Sequence, residues 1–247
     1  MTDPVRHLAQ TGHLDRFYID GAWVKPQGRE RAEVVDPATE TVIAEIPLGS
    51  MSDTDHAVRA ARKAFCGWSR TTPSERAALL SRIHALVLER ADLIAYALSA
   101  EMGAAIIYAR QAQVPLAAEH IRVARDNLAT FPFVSQRGTT AICKEPIGVC
   151  ALITPWNWPL YQITAKVGPA LAAGCTVVLK PSELSPLSAI LFAEIMEEAG
   201  CPPGVFNLVH GSGPVVGEAL ASHDEVDMVS ITCLLYTSPS PRDKRQS

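Results

Sequence analysis

The second half of the chain alternates short apolar runs with amphipathic helical stretches, and this alternation constrains the fold more than any other feature. The apolar runs cover residues 149–154, 176–179, 205–209 and 226–232, and the helical stretches cover 160–173, 186–199 and 214–222. Runs this uniformly apolar are typical of strands buried on both faces, and helical crossovers between such strands require a parallel sheet. We therefore predict an α/β fold with a doubly wound, Rossmann-like parallel sheet.

The amino-terminal part predicts a strand pair followed by helices. Residues 17–24 carry strand-type side chains around an Asp-Gly pair, which is typical of a hairpin. Ser52 with Asp55, and Thr72 with Glu75, are interpreted as capping pairs at two helix starts. The amphipathic runs that follow indicate helices with one face toward the core.

Changes of pattern divide the chain into four parts. Residues 1–130 are predicted to form the amino-terminal part of the main domain, and residues 131–148 a short β-rich excursion from it. Residues 149–232 hold the alternating βα units. The tail, residues 233–247, has the composition of a loop and, read as DNA, resembles a translated sequencing-library adapter, so we expect it to be non-native.

Composition and charge exclude several classes of protein. Lysine and arginine number 22 against 26 acidic residues, and they are spread over the helical stretches, so we expect no nucleic-acid partner. No apolar signal-peptide core and no bilayer-length uncharged run are found, so we expect a cytoplasmic protein without a membrane partner. The six cysteines form no CxxC pair and have no histidines at ligand spacing, which predicts reduced, mostly buried thiols and no metal.

Unusual residues follow the predicted strands at their carboxyl ends, where doubly wound sheets bind ligands. The first strand runs into Thr154-Pro-Trp-Asn-Trp-Pro-Leu160, the second into Lys180-Pro-Ser-Glu183, and the third into His210-Gly-Ser-Gly213, before Pro214 and Gly217. Each segment alone is better explained by packing, a helix cap or a weak glycine loop than by a ligand site. Together, on successive strand ends, they favour one ligand site.

These segments also carry a family resemblance. Pro155-Trp-Asn-Trp-Pro159, Lys180-Pro-Ser-Glu183 and Gly211-Ser-Gly213, at these separations, resemble the aldehyde dehydrogenase superfamily. Further similar stretches are Tyr18-Ile-Asp-Gly-Ala-Trp23, Asp36-Pro-Ala-Thr39, Glu145-Pro-Ile-Gly148, residues 168–176 and Pro203-Gly-Val-Phe-Asn207. The resemblance covers nearly everything from Tyr18 to Thr232, and several motifs in the right order make a chance match improbable.

The resemblance implies NAD(P)-dependent oxidation of an aldehyde, in which a cysteine thiolate attacks, a hydride passes to the nicotinamide and a glutamate activates water. Asn157 corresponds to the family's oxyanion-stabilising asparagine, with a turn-capping role as the alternative. Lys180 and Glu183, with Ser182 between them, resemble the residues that grip the adenosine ribose. A carboxylate there would repel a 2′-phosphate, which favours NAD over NADP. A surface ion pair is the alternative.

Two further groups complete the cofactor site that the resemblance implies. One is expected to line the nicotinamide side of the crevice and consists of Ile153, Thr154, Pro155 and Trp156. The other is expected to let the backbone approach the adenine side and consists of Gly213, Pro214 and Gly217. Packing explains all of these residues equally well.

The resemblance ends after Thr232, where the family continues with Gly-Ser and this chain has Cys233-Leu-Leu. The nucleophilic cysteine, the deacylating glutamate and most of the substrate domain are expected beyond that point, so we expect this chain to be inactive. No cysteine present is expected to be catalytic, and a catalytic tail is disfavoured. The parent is expected to be a homodimer or homotetramer that oxidises a small-molecule aldehyde. A non-catalytic dinucleotide-binding module and a poorly folded fragment remain alternatives.

Overall fold

A computed structural model describes residues 3–232, and the predictions for Cys233 and the tail lie outside them. The helices are α1 (Pro4–Thr11), α2 (Met51–Trp68), α3 (Pro73–Glu89), α4 (Ala91–Met102), α5 (Ile106–Tyr108), α6 (Val114–Asn127), α7 (Pro159–Ala173), α8 (Leu187–Glu198) and α9 (Glu218–Ser222). The strands are β1 (Phe17–Ile19), β2 (Ala22–Val24), β3 (Arg31–Asp36), β4 (Thr41–Pro47), β5 (Val134–Arg137), β6 (Thr140–Cys143), β7 (Val149–Ile153), β8 (Thr176–Lys180), β9 (Phe206–Leu208) and β10 (Met228–Ile231).

The largest sheet has six strands in the order β10-β7-β8-β9-β1-β2. Strands β7 to β10 are parallel, and β1 joins β9 antiparallel through Tyr18 and Leu208. The predicted α/β fold with a parallel sheet is therefore confirmed. The hairpin predicted over residues 17–24 also forms, and it extends this sheet by two antiparallel strands.

The chain reverses its direction of winding beside β7. It proceeds from β7 through α7 to β8 and through α8 to β9, and then α9 returns it to β10 on the other side of β7. Side chains of β7 alternate between the two faces: Val149 and Ala151 pack with Leu220 of α9, whereas Cys150 and Leu152 pack with the opposite core. Ligands of doubly wound sheets bind at the carboxyl ends of strands where the winding reverses.

Two helical layers cover one face of the sheet. Helices α7 and α8 lie against the strands, and α3, α4 and α6 pack on the outer side of these two helices. Helix α2 crosses the other face, where Ala57, Val58 and Ala61 are buried against Val178. The carboxyl ends of the strands therefore sit on a rigid base with apolar cores on both faces.

The helix starts were predicted with mixed success. Thr72 and Glu75 form the predicted reciprocal capping box of α3. The prediction that Ser52 and Asp55 cap α2 is wrong, because Ser50 and Asp53 form that box. Burial decides between the two acidic residues: the Asp53 carboxylate is buried and also accepts from the backbone of residues 27 and 28, whereas Asp55 pairs with an exposed arginine.

Two small hairpins stand apart from the main sheet. Strands β3 and β4 pair antiparallel, and the sequence did not predict them. Strands β5 and β6 pair within the predicted excursion of residues 131–148, and every residue of β6 is exposed. The domain boundaries drawn from the sequence stay predictions.

The cysteines and helices bear on two further expectations. Within residues 3–232 no helix combines the length and apolar character needed to cross a bilayer. The cysteines of that same range are free, with Cys150, Cys175 and Cys201 buried and with Cys66 and Cys143 exposed. The expectation of buried thiols therefore holds for three of these five residues.

Candidate functional site

The carboxyl ends of β7, β8 and β9 lie side by side. Ile153 is in register with Lys180, and the Thr154 amide donates to the Lys180 carbonyl at 3.1 Å. The Val209 amide donates to the Leu179 carbonyl at 3.0 Å. The segments that follow these strands, residues 153–158, 180–183 and 210–217, therefore begin at neighbouring points, and we call them together the candidate site.

Polar groups without partners follow β7. The Thr154 hydroxyl is buried, with the residue 3% exposed, and has no hydrogen-bond partner. The side-chain oxygen of Asn157 is likewise buried and unpaired. Leaving such a group unpaired costs about 1 to 3 kcal/mol. Unpaired polar atoms at a strand end are the arrangement expected where a ligand completes the hydrogen bonding.

The residue next to Asn157, Trp158, has a strained backbone conformation. Trp158 has φ +54° and ψ +53°, a left-handed conformation that a bulky side chain rarely adopts. Its ring meets the rings of Tyr108 and Tyr161 edge-on, with centroids 5.6 and 5.4 Å away. These contacts offset the strain, and α7 starts directly afterwards at Pro159. Asn157 is therefore held between the end of a strand and a locked turn.

The predicted nicotinamide-side residues differ in exposure. Ile153 and Pro155 are half-buried, and Trp156 is 42% exposed. An indole this open at the end of a buried strand provides a flat apolar surface for a ligand. Trp156 and the buried Thr154 hydroxyl thus offer one apolar and one polar contact within the same segment.

The segment after β8 contains the predicted lysine and glutamate pair. The Lys180 ammonium is buried and donates to Glu183 Oε2 at 3.2 Å and to the Pro181 carbonyl at 3.1 Å. Ser182 Oγ accepts from the Leu184 amide at 3.3 Å. Because Glu183 is only half-buried, its carboxylate can accept further hydrogen bonds from a ligand.

His210, at the end of β9, was not assigned a role from the sequence. Its side chain is 0% exposed and neither ring nitrogen has a partner. Burial, together with the neighbouring charge of Lys180, lowers the pKa of His210 to about 3, so the imidazole is neutral. A histidine directly after an apolar strand was the signal that could have identified it.

The glycine-containing segment after β9 is a π-helix, Gly213–Gly217, where the sequence predicted an α-helix from Pro214. Single π-helical turns are rare and occur frequently at functional sites. Gly213 and Pro214 are exposed, and a Cβ added at Gly213 would meet nothing within 4 Å. Gly217 is buried, so only the start of this segment is open to a ligand.

A second residue that sequence reasoning missed is Glu101, at the end of α4. Its buried carboxylate accepts from the amides of Leu187 at 2.5 Å and Ser188 at 3.2 Å. Burial raises the pKa of Glu101 to about 7. A single acidic residue near the end of an apolar helix gave no clear signal in the sequence.

The predicted site residues are brought together only in part. Ile153, Thr154 and Lys180 are neighbours, and Lys180 contacts Glu183 and lies beside His210. Neither Asn157 nor Gly213 hydrogen-bonds to the Lys180 and Glu183 pair in the part of the chain that the structure describes, so their meeting on one ligand stays a prediction. The arrangement suits an elongated ligand. At one end its hydroxyl groups would donate to Glu183, and at the other end it would pair with the polar groups of Thr154 and Asn157.

The sequence matches one protein family over most of its length. The profile of the aldehyde dehydrogenase family matches residues 23–234. The 3-succinoylsemialdehyde-pyridine dehydrogenase of a Pseudomonas species is 52% identical to this chain over 236 residues, which cover 93% of this chain and 50% of that protein. This chain therefore spans about half the length of that relative.

Solved structures of the same family are also similar. A mutant aldehyde dehydrogenase C from Pseudomonas syringae, solved with NAD+ and octanal, is 64% identical with a TM-score of 0.88, over 89% of this chain and 45% of that one. A betaine aldehyde dehydrogenase from Staphylococcus aureus, solved with NAD+, is 33% identical with a TM-score of 0.85, over 92% of this chain and 46% of that one.

Proposed function

This chain belongs to the aldehyde dehydrogenase family, and from that premise we propose that it forms the cofactor-binding part of an enzyme that oxidises an aldehyde to a carboxylic acid with NAD. The observation that carries the proposal is the Lys180 and Glu183 pair at the carboxyl end of β8, beside the unpaired polar groups after β7. The relatives from P. syringae and S. aureus that were solved with NAD+ support the choice of cofactor.

Glu183 and Lys180 are proposed to hold the adenosine ribose. The half-buried Glu183 carboxylate accepts from the two ribose hydroxyls, while the hydrogen bond from Lys180 keeps it oriented. Ser182 lies in the same turn and is assigned to the same contact surface. The exposed start of the π-helix, Gly213 and Pro214, lets the backbone approach the adenine side, with Gly217 supporting that turn.

The same carboxylate sets the preference between the two nicotinamide dinucleotides. A 2′-phosphate would place negative charge next to Glu183, and two like charges in contact cost free energy even when partly screened by water. The positive charge of Lys180 is already engaged by Glu183 and by the Pro181 carbonyl. We therefore assign NAD as the cofactor.

The segment after β7 is proposed to serve the nicotinamide and the reacting carbonyl. Bound there, the dinucleotide would supply a hydride acceptor. Ile153, Thr154, Pro155 and Trp156 provide the wall of this side of the crevice. Asn157 donates its side-chain amide to the oxygen on which negative charge develops, and losing such a donor from a complete enzyme costs roughly 100 to 1,000-fold in rate.

We propose that none of the six cysteines of this chain is the nucleophile, so this chain by itself is proposed to bind cofactor without turnover. A nucleophilic cysteine needs a stabilised thiolate near the site. Cys150 and Cys175 are buried toward the amino ends of β7 and β8, the opposite end of the sheet. Burial raises the pKa of Cys201 to about 12, which keeps that thiol protonated.

The assembly and location of the whole protein complete the proposal. The hairpin of β5 and β6 carries solvent-exposed apolar side chains such as Val134. Such side chains could be covered by another subunit, which suits a homodimer or homotetramer. The free thiols at Cys66 and Cys143 suit a reducing compartment, which in this proposal is the cytoplasm. The substrate is an aldehyde whose identity depends on residues outside this chain.

Calorimetric titration of the chain with NAD and with NADP tests the proposal. We expect NAD to bind more tightly than NADP, and Glu183→Gln to weaken NAD binding about tenfold, the loss of one charged hydrogen-bonding acceptor. Glu198→Gln is the matched control, because Glu198 pairs with Arg90 at the far end of α8. Cooperative unfolding without any NAD binding would contradict the proposal, and aggregation without cooperative unfolding would favour a poorly folded fragment.

A further inference from the structure

We propose that Glu101 is a positioning residue for the candidate site: by fixing the start of α8 it holds the turn that carries Glu183 next to Lys180. The inference rests on the proposed function, because it concerns the turn assigned to the adenosine ribose. It adds a residue from a different part of the chain, 86 positions before the helix that it contacts.

The contact is made with the first turn of α8. The two carboxylate oxygens of Glu101 accept from the amides of Leu187 and Ser188, the first two residues of that helix. The residue before the helix, Pro186, makes no side-chain capping hydrogen bond. The first amides of a helix have no partner within the helix, so a carboxylate from α4 takes the place of the missing cap.

The turn between β8 and α8 has six residues, 181–186, and is fixed at three places. Its start follows Lys180, which is in register with Ile153. Its middle is closed by the Ser185 amide, which donates to the Ser182 carbonyl at 3.2 Å. Its end is the helix start that Glu101 holds. Loss of the last restraint would let the turn change shape while β8 stays in place, and Glu183 would then lose its orientation.

Among residues 3–232, no cationic side chain pairs with the carboxylate of Glu101. Burial is the largest influence on its pKa and raises it, the hydrogen bonds from residues 187 and 188 oppose burial, and no neighbouring charge contributes. Charged or titratable side chains on the elements packed around α4 and α8 include Arg6, His7, Asp36, Glu89, Asp92, Arg110, Glu119, His120, Lys166 and Glu194. The carboxyl therefore changes its charge near neutral pH, where its ionised form accepts from both amides more strongly.

The experiment compares Glu101→Gln with Glu75→Gln in the 247-residue chain. Both changes replace a helix-capping carboxylate with an amide, but Glu75 caps α3 near the amino ends of the strands. We expect Glu101→Gln to weaken NAD binding about tenfold at pH 8 after correction for the folded fraction, and Glu75→Gln to change it less than about twofold. Glu101→Asp, which keeps the carboxylate, is expected to recover part of the affinity.

Two further readouts separate positioning from a general loss of stability. Wild-type affinity for NAD is expected to rise between pH 6 and pH 8 and to stay level in Glu101→Gln. Amide hydrogen exchange without cofactor is expected to quicken at residues 181–188 in Glu101→Gln only. If exchange at 181–188 is unchanged in Glu101→Gln, the inference is wrong, whether or not NAD binds. Failure to bind NAD would by itself count only against the proposed function. Equal NAD affinity of wild type and Glu101→Gln at both pH values also overturns the inference.

Discussion

The two ends of the parallel strands differ in how their polar groups are paired. At the amino ends, the Asp227 carboxylate accepts from the Val149 amide at 2.7 Å and from Arg62 at 2.5 Å, and the Thr176 hydroxyl donates to the Ala61 carbonyl at 3.0 Å. At the carboxyl ends, polar atoms of Thr154, Asn157 and His210 are buried without partners.

This difference indicates that paired polar groups stabilise the fold at the amino ends of the strands, whereas unpaired polar groups destabilise it at the carboxyl ends. A buried polar group that is paired contributes to folding, whereas an unpaired one costs about 1 to 3 kcal/mol. The buried Arg76, near the amino ends, has an unpaired Nε, but its Nη1 donates to the Thr71 carbonyl. Unpaired groups after β7 and β9, on either side of β8, are expected at a site where a ligand binds.

The largest loss of stability is expected from a methyl group added at the amino ends of the strands. Gly148 has φ +135°, and a Cβ there would lie 1.8 Å from Asp227 Oδ2. We expect Gly148→Ala to lower the free energy of unfolding by about 4 kcal/mol, because it both strains the backbone and breaks the Asp227 contacts. Gly138→Ala is the control, since Gly138 also has a positive φ but nothing within 4 Å of the added Cβ. Urea unfolding measures both, and equal losses would contradict this difference.

The second-largest effect on stability is expected from the ionisation of Glu101, near the carboxyl ends of the strands. The pKa of Glu101 is raised from 4.5 to about 7 in the folded protein, so the folded state binds a proton that the unfolded state has released between these values. Its contribution to stability is therefore full below pH 4.5 and is lost as the pH rises through 7, a change of roughly 3 kcal/mol.

Urea unfolding between pH 5 and pH 8 measures this contribution. We expect Glu101→Gln to remove most of the decline in stability that the wild type shows over this range. Glu75→Gln should keep the wild-type decline, because hydrogen bonds from Thr72 lower the pKa of Glu75 and so move its titration away from this range. Parallel pH profiles for wild type and Glu101→Gln would show that Glu101 is ionised throughout.

The smallest effect comes from a matched pair of threonines. Thr176→Val removes a paired hydroxyl and is expected to cost about 1 kcal/mol. Thr154→Val removes an unpaired one and is expected to leave the free energy of unfolding within about 0.5 kcal/mol of wild type or to raise it. Thermal or urea unfolding of the two variants measures these changes in the free energy of unfolding. A larger loss from Thr154→Val would mean that its hydroxyl is paired in solution.

Much of the sheet could be predicted from the sequence, because strands buried on both faces leave uninterrupted apolar runs such as residues 149–153. The Lys180 and Glu183 contact was also predictable, since the two residues are only three positions apart. The contact of Glu101 with Leu187 was not, because it joins distant parts of the chain. Strands β3 and β4 were missed because their mixed, largely exposed side chains give no regular alternation.

The central claim is that one nicotinamide dinucleotide binds across the carboxyl ends of β7, β8 and β9. Amide hydrogen exchange of the chain with and without saturating NAD tests it most directly. We predict slower exchange in three separate segments, residues 153–158, 180–183 and 213–217, and unchanged exchange around Gly148 and Thr176. Protection confined to one of the three segments, or located at the amino ends, would contradict the account.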